Sequence, residues 1–185
     1  IVHPPRFGLP LDPRTPIVMF AGGAGLAPFR GFIQERVRQA EAGESWLFIG
    51  ARAPDEFPYQ DELAQAVEQG RLHVRAAFSR ADVTARVVDH GDQARFVFEH
   101  GSRGYIGAEM LREENARRLW DLIRSVQDGG QEAYFYVCGR TDFANAVMEA
   151  IKAIIRRFAA DGEAQPEAVV QRVLYRLVGE GRFLQ

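Results

Sequence analysis

The chain has 185 residues, 46% of them hydrophobic and 26% charged, with a formal net charge of −2. That is one domain's worth of ordinary globular sequence, long enough for a substantial core and without the basic excess of a nucleic-acid surface. A single cysteine excludes an internal disulfide and a zinc-ribbon cluster and fits a reducing cytoplasm, and no apolar run approaches the roughly 20 residues that cross a bilayer.

Residues 1–15 hold four prolines and read as an extended linker. Ile1-Val-His-Pro-Pro-Arg6 is not a signal peptide, and without a start methionine the chain reads as a piece of a larger protein whose preceding domain the linker would join. Pro16 to Ala21 is a short apolar run of the kind that forms a buried parallel strand. It leads into three glycines in four positions, Gly22, Gly23 and Gly25, and then into Pro28 at a helix start. In that helix Phe29, Phe32, Ile33 and Val37 share one face, leaving Gln34, Glu35, Arg36 and Arg38 for solvent. Free N–H groups and the helix dipole make such a turn an anion site, and bare glycines let a pyrophosphate come close. The spacing is neither a Walker loop nor the common dinucleotide fingerprint, so the residues alone also fit a merely tight strand-to-helix connection.

Trp46 to Gly50 is a second continuous apolar strand, with Arg52 just beyond its carboxyl end. Asp61 to Gln69 predicts a short helix ended by Gly70, and Arg71 to Phe78 a third strand followed at once by Ser79-Arg80. A hydroxyl and a guanidinium at a strand's carboxyl end suit a phosphomonoester. Residues 81–102 hold two β-rich runs around Asp89-His-Gly-Asp92 and predict an inserted hairpin. Glu109 to Val126 predicts one amphipathic helix burying Met110, Leu111, Leu119, Leu122, Ile123 and Val126. Ala133 to Gly139 is a strand ending in Cys138, Phe143 to Phe158 a helix, and Pro166 opens a last helix. Strands alternating with helices predict an α/β fold of three αβα layers, a Rossmann-like, doubly wound, five-stranded parallel sheet in the order 3-2-1-4-5.

Several of these runs together resemble a known family. Phe7-Gly-Leu-Pro-Leu11, the stretch Pro16 to Arg36, Gly50-Ala-Arg52 with the aromatic-rich Phe57 to Leu63, Ala77-Phe-Ser-Arg80, and Tyr136-Val-Cys-Gly139 are similar to the NADPH-binding domain of the ferredoxin–NADP reductase superfamily, closest to its diflavin branch. The resemblance implies that residues 16–185 bind NADP(H), that FAD lies in a preceding domain, and that hydride passes from NADPH to FAD and electrons on to a flavodoxin-like, haem or iron–sulfur acceptor. It assigns the pyrophosphate to Gly22, Gly23, Ala24, Gly25, Leu26, Ala27 and Pro28 with Arg52, and the 2′-phosphate to Ser79, Arg80 and Arg103. It places Tyr105 on the adenine and Cys138 beside the nicotinamide as the catalytic position, with Gly139, Arg140 and Asp142 around the dinucleotide. Four departures stand out: Ala24 for the family's threonine, Gly107 for its glutamine, Arg140 for its aspartate, and the insertion. They keep open a non-catalytic regulatory or assembly module; an NADH-dependent reductase is the other alternative, against which Arg80 and Arg103 argue.

Overall fold

A computed structural model describes residues 6–185. Its centre is a five-stranded sheet, all parallel, in the order β3-β2-β1-β6-β7, from β1 (Ile17–Gly22), β2 (Ser45–Ala51), β3 (His73–Phe78), β6 (Tyr134–Cys138) and β7 (Phe183–Leu184). With the hairpin strands left out of the count, this is the order 3-2-1-4-5 expected from the sequence. The fifth strand is only two residues long, too short for any periodicity to announce it.

Strands β1 and β2 are buried along both faces, as their unbroken apolar runs require. Alternate residues serve two cores. Ile17, Met19, Leu47, Ile49 and Tyr136 face α1 (Ala27–Arg38) and α2 (Gln60–Glu68). Val18, Phe20, Phe48, Phe135 and Val137 face α4 (Glu113–Ile123), α5 (Thr141–Ala159) and α6 (Pro166–Gly179), beside the short α3 (Ile106–Met110). Phe7 stacks on Phe29 and Phe32 at 5.9 and 5.7 Å, and the Tyr136 hydroxyl donates to the Gly8 carbonyl (2.7 Å), so residues 7 and 8 lie packed against the first core. Burial pushes the Tyr136 phenol above its ordinary pKa. No helix among the described residues is long and apolar enough to cross a membrane.

Residues 83–100 form an antiparallel hairpin, β4 (Val83–Asp89) and β5 (Ala94–His100). Its apolar face meets the main body edge to face, Phe96 on Phe57 at 5.0 Å and Phe98 on Phe78 at 5.8 Å. Its base is closed by a two-point ion pair: Arg103 Nε and Nη2 donate to Asp82 Oδ1 and Oδ2 at 2.9 and 2.8 Å.

Two expectations from the pattern fail. Arg36, assigned to solvent, is 2% exposed. It donates to the Ser45 hydroxyl (3.1 Å) and to the carbonyls of Pro13 (2.7 Å), Gly43 (2.9 Å) and Glu44 (3.1 Å), gathering the two loops that feed β1 and β2. Burial lowers its pKa, and the ring of acceptors compensates the desolvated charge. The helix expected over 109–126 is broken. Arg112 is extended between α3 and α4, and the amide of Asn115, 1% exposed, donates to the Glu109 carbonyl (2.8 Å) while its oxygen accepts from Arg75 (3.0 Å). A buried polar side chain with its own partners thus replaces the continuous stripe, and Leu111 and Val126 stand 44% and 63% exposed.

Arg36→Met should lower stability by about 2–4 kcal/mol, because several buried acceptors lose their donor, whereas Gly31→Ala, mid-helix with nothing within 4 Å of the added Cβ, should raise it by roughly 0.5–1 kcal/mol. Urea denaturation of both variants checks the pair. The Arg103 guanidinium holds the Asp82 carboxyl down from 3.8 to about 2. A depressed folded pKa stabilises above the unfolded value and stops doing so as pH falls through the folded one. The melting-temperature difference between the wild type and Asp82→Asn should therefore be constant at neutral pH and vanish as pH falls through about 2.

Candidate functional site

Strands β1, β2, β3 and β6 all end at one edge of the sheet, and α1 and α5 begin there. After β1 the chain turns onto one face and after β6 onto the other, so the gap between these neighbours is the switch point where doubly wound sheets bind ligands. A cleft of ≈ 730 Å³ lies over it, within the roughly 300–1,000 Å³ usual for ligand sites.

Glycine shapes its floor. Gly23–Leu26 is a single 3₁₀ turn between β1 and α1, and Gly23 sits at φ 56, where a side chain is strained. A Cβ on Gly25 would lie 2.1 Å from the Cys138 carbonyl oxygen, so only a hydrogen lets this turn touch the end of β6. Added Cβ atoms on Gly22, Gly139 and Gly50 would meet the Phe143 ring at 2.7, 2.8 and 3.3 Å. Three strand ends therefore carry no side chain where one aromatic ring from the first turn of α5 lies beneath the cleft.

Gly22, Gly23, Ala24, Gly25, Arg52, Ser79, Tyr105, Gly139, Arg140 and Asp142 line this space, which the sequence had marked from five separate segments. The remaining candidates lie off its walls. Leu26 is fully buried in the core, while Ala27 and Pro28 face solvent on the first turn of α1. Cys138 is half-buried, its carbonyl against Gly25. Arg80 is exposed beside Ser79. The N–H groups of Ser79 and Arg80 donate to the carbonyls of Ala51 (3.0 Å) and Arg52 (2.9 Å), tying the ends of β2 and β3 together. Arg103 is committed to Asp82 at the hairpin base. Tyr105, 76% exposed, stands at the rim just before α3.

Sequence reading passed over Phe143, Glu56, Ile106 and Gly50 as parts of this wall. Phe143 reads as one more apolar residue at a helix start; only the stacking of three strand ends over its ring gives it a place in the site. Glu56 had a usable signal, since it stands four residues after Arg52 in a segment that Pro54 opens as a helical turn. Arg52 Nε and Nη2 reach Glu56 Oε2 and Oε1 at 2.8 and 2.7 Å, raising the arginine's pKa and lowering the glutamate's. Among the described residues neither Arg80 nor Arg140 is in an ion pair.

A parallel doubly wound sheet with a glycine-lined cleft at its switch point is the architecture in which α/β domains bind nucleotides. Comparison with known proteins places this chain more closely: residues 19–149 match the model of the oxidoreductase NAD-binding domain, and the chain belongs to that family. It is 32% identical to the NADPH–cytochrome P450 reductase of Drosophila melanogaster over 173 residues, 91% of this chain and 22% of that protein. It is 36% identical to the sulfite reductase [NADPH] flavoprotein alpha-component of Zymomonas mobilis over 180 residues, 95% of this chain and 26% of that protein. A self-sufficient cytochrome P450 monooxygenase of Phanerodontia chrysosporium is 35% identical over 90% of this chain, which covers 14% of its length. These names bear out the resemblance to the diflavin branch, and the chain spans about a quarter or less of each relative.

Gly25→Ala should separate the glycine turn from β6, costing about 1–3 kcal/mol of stability in urea denaturation. Gly8→Ala, with nothing within 4 Å of its added Cβ, should leave the midpoint close to that of the wild type.

Proposed function

We propose that this chain is the NADP(H)-binding part of a flavin-dependent reductase, in which hydride passes from NADPH to an FAD held by a neighbouring domain and electrons continue to a flavodoxin-like, haem or iron–sulfur acceptor. The observation that carries the reading is the cleft itself: an unobstructed glycine turn, Arg52 and Ser79 share one wall at the switch point. The names of the similar proteins, two of them carrying NADPH and one the word flavoprotein, support the cofactor.

The residues present fit a dinucleotide. At the glycine turn a substituent-free backbone and the start of α1 offer N–H groups to a pyrophosphate, with Arg52 as the adjoining guanidinium. Ser79 and Arg80 take the 2′-phosphate, the serine from the wall and the arginine from solvent beside it, while Arg103 adds its charge from the hairpin base. Tyr105 stacks on the adenine at the rim. The nicotinamide lies towards Cys138, Gly139, Arg140 and Asp142, over the Phe143 floor. The dinucleotide, when bound, supplies the hydride; this chain orients it and shields one face of its ring from water. Arg140 replaces a carboxylate with a cation at the start of α5, so the nicotinamide end of this cleft is more positive than the family pattern implies. We read residues 1–15 as the link from the flavin domain, residues 81–102 as an insertion relative to the family, and the protein as cytoplasmic.

Calorimetric titration with 2′,5′-ADP and with 5′-AMP tests the reading. The bisphosphate should bind at least about tenfold more tightly, the worth of one charge-assisted phosphate contact, and Arg80→Ala should erase most of that difference. Equal binding of the two ligands would move the assignment to NADH. Binding of neither would make the chain a regulatory or assembly module.

A further inference from the structure

Glu56 puts a carboxylate on the stretch of cleft wall where Arg52 and Ser79 suit an anion; the other lining carboxylate, Asp142, stands at the start of α5. It is not a loosely placed surface glutamate. Pro54–Glu56 is a 3₁₀ turn in which the Glu56 N–H donates to the Ala53 carbonyl (3.0 Å) and the Phe57 N–H to the Pro54 carbonyl (3.1 Å). The Gln60 side chain donates to the carbonyls of Pro54 (2.8 Å) and Phe57 (3.0 Å), and Phe57 itself is 3% exposed beneath the hairpin. The turn is thus anchored from both sides. It delivers both carboxylate oxygens to the edge of the Arg52 guanidinium, the geometry in which a guanidinium grips two oxygens of a phosphate. Ser79 shares this wall, and the positive charge of Arg80 also acts on the Glu56 carboxylate.

We propose that Glu56 sets the affinity of the cleft as a built-in anion: it holds Arg52 in the nucleotide-free chain, and a nucleotide phosphate binds by exchange for the carboxylate. This rests on the nucleotide reading above and adds to it a residue that works against the ligand. Part of the attraction between phosphate and guanidinium is spent on displacing Glu56, so a small anion with one contact gains little from Arg52. A nucleotide anchored at several other points can complete the exchange.

A double-mutant cycle on the 185-residue chain tests the exchange, with 2′,5′-ADP as the calorimetric probe and thermal melts to verify that each variant is folded. Glu56→Gln should tighten binding about two- to fivefold, the affinity equivalent of one exposed ion pair, and Glu56→Ala should do the same without retaining an acceptor for the arginine. Arg52→Ala should weaken binding, and adding Glu56→Gln to Arg52→Ala should change nothing further, because the glutamate acts through that arginine. Unchanged or weaker binding in both Glu56 variants overturns the proposal. So does equal tightening with and without Arg52, which would be a general effect of removing negative charge. If none of these proteins binds 2′,5′-ADP, the nucleotide site itself is wrong and the role of Glu56 falls with it.

Discussion

The contact on which the cleft depends is the approach of the glycine turn to the carboxyl end of β6. At Gly25 the backbone comes so near the Cys138 carbonyl that a methyl group would overlap it. This closeness lets a turn leaving β1 lie directly over the end of its neighbour, and it brings the starts of α1 and α5 to the same edge. The parallel register of β1 and β6, from Ile17 opposite Tyr134 to Ala21 opposite Cys138, then fixes the cleft's height above the sheet.

The two edges of the sheet hold their arginines differently. At the amino edge, Arg36 and Arg182 are buried and reach mainly backbone carbonyls, with one further bond each, from Arg36 to the Ser45 hydroxyl and from Arg182 to the Glu180 carboxylate. Arg182 donates to Ala133 (3.0 Å) and Ile123 (3.1 Å), pinning the two-residue β7 in place. Those carbonyls cannot move without unfolding a loop, so the guanidinium groups are permanent parts of the frame. At the carboxyl edge, Arg52 and Arg103 end on the carboxylates of Glu56 and Asp82, which are mobile side chains at the surface. Bonds to carbonyls there would have locked the cations away. Bonds to exposed carboxylates leave them exchangeable, which the proposed phosphate contacts would need.

Much of the fold was legible because the strands are buried on both faces, which leaves an unbroken apolar signature in Ile17–Ala21, Trp46–Ile49 and Phe135–Val137. The glycine turn and the strand-terminal Arg52 and Ser79 were legible because their chemistry is local: backbone room, charge and a hydroxyl at known strand ends. What escaped was set by tertiary contact. Arg36 sits on the polar side of its helix by periodicity, and only the returning loops at Pro13 and Gly43 turn that side into interior. The helix expected over 109–126 breaks at Arg112 although its amphipathic pattern is continuous, because the Asn115 amide bonds back to the Glu109 carbonyl while its oxygen is held by Arg75, which comes from β3. The partner that holds Arg103 at the hairpin base is 21 residues away, and no spacing rule joins them.

Phe143 gives the cleft a floor made of a different part from its walls. Gly22 and Gly50 are fixed by the hydrogen-bond ladder of the sheet and Gly139 follows directly on β6, but the ring beneath them belongs to α5, which packs against the sheet. Depth and outline are therefore separable properties here. A smaller side chain at this one helical position would deepen the chamber without redrawing its mouth, and a slight roll of α5 would raise or lower the ring under all three strand ends together. The sheet is the rigid bezel; the helix carries an adjustable base plate.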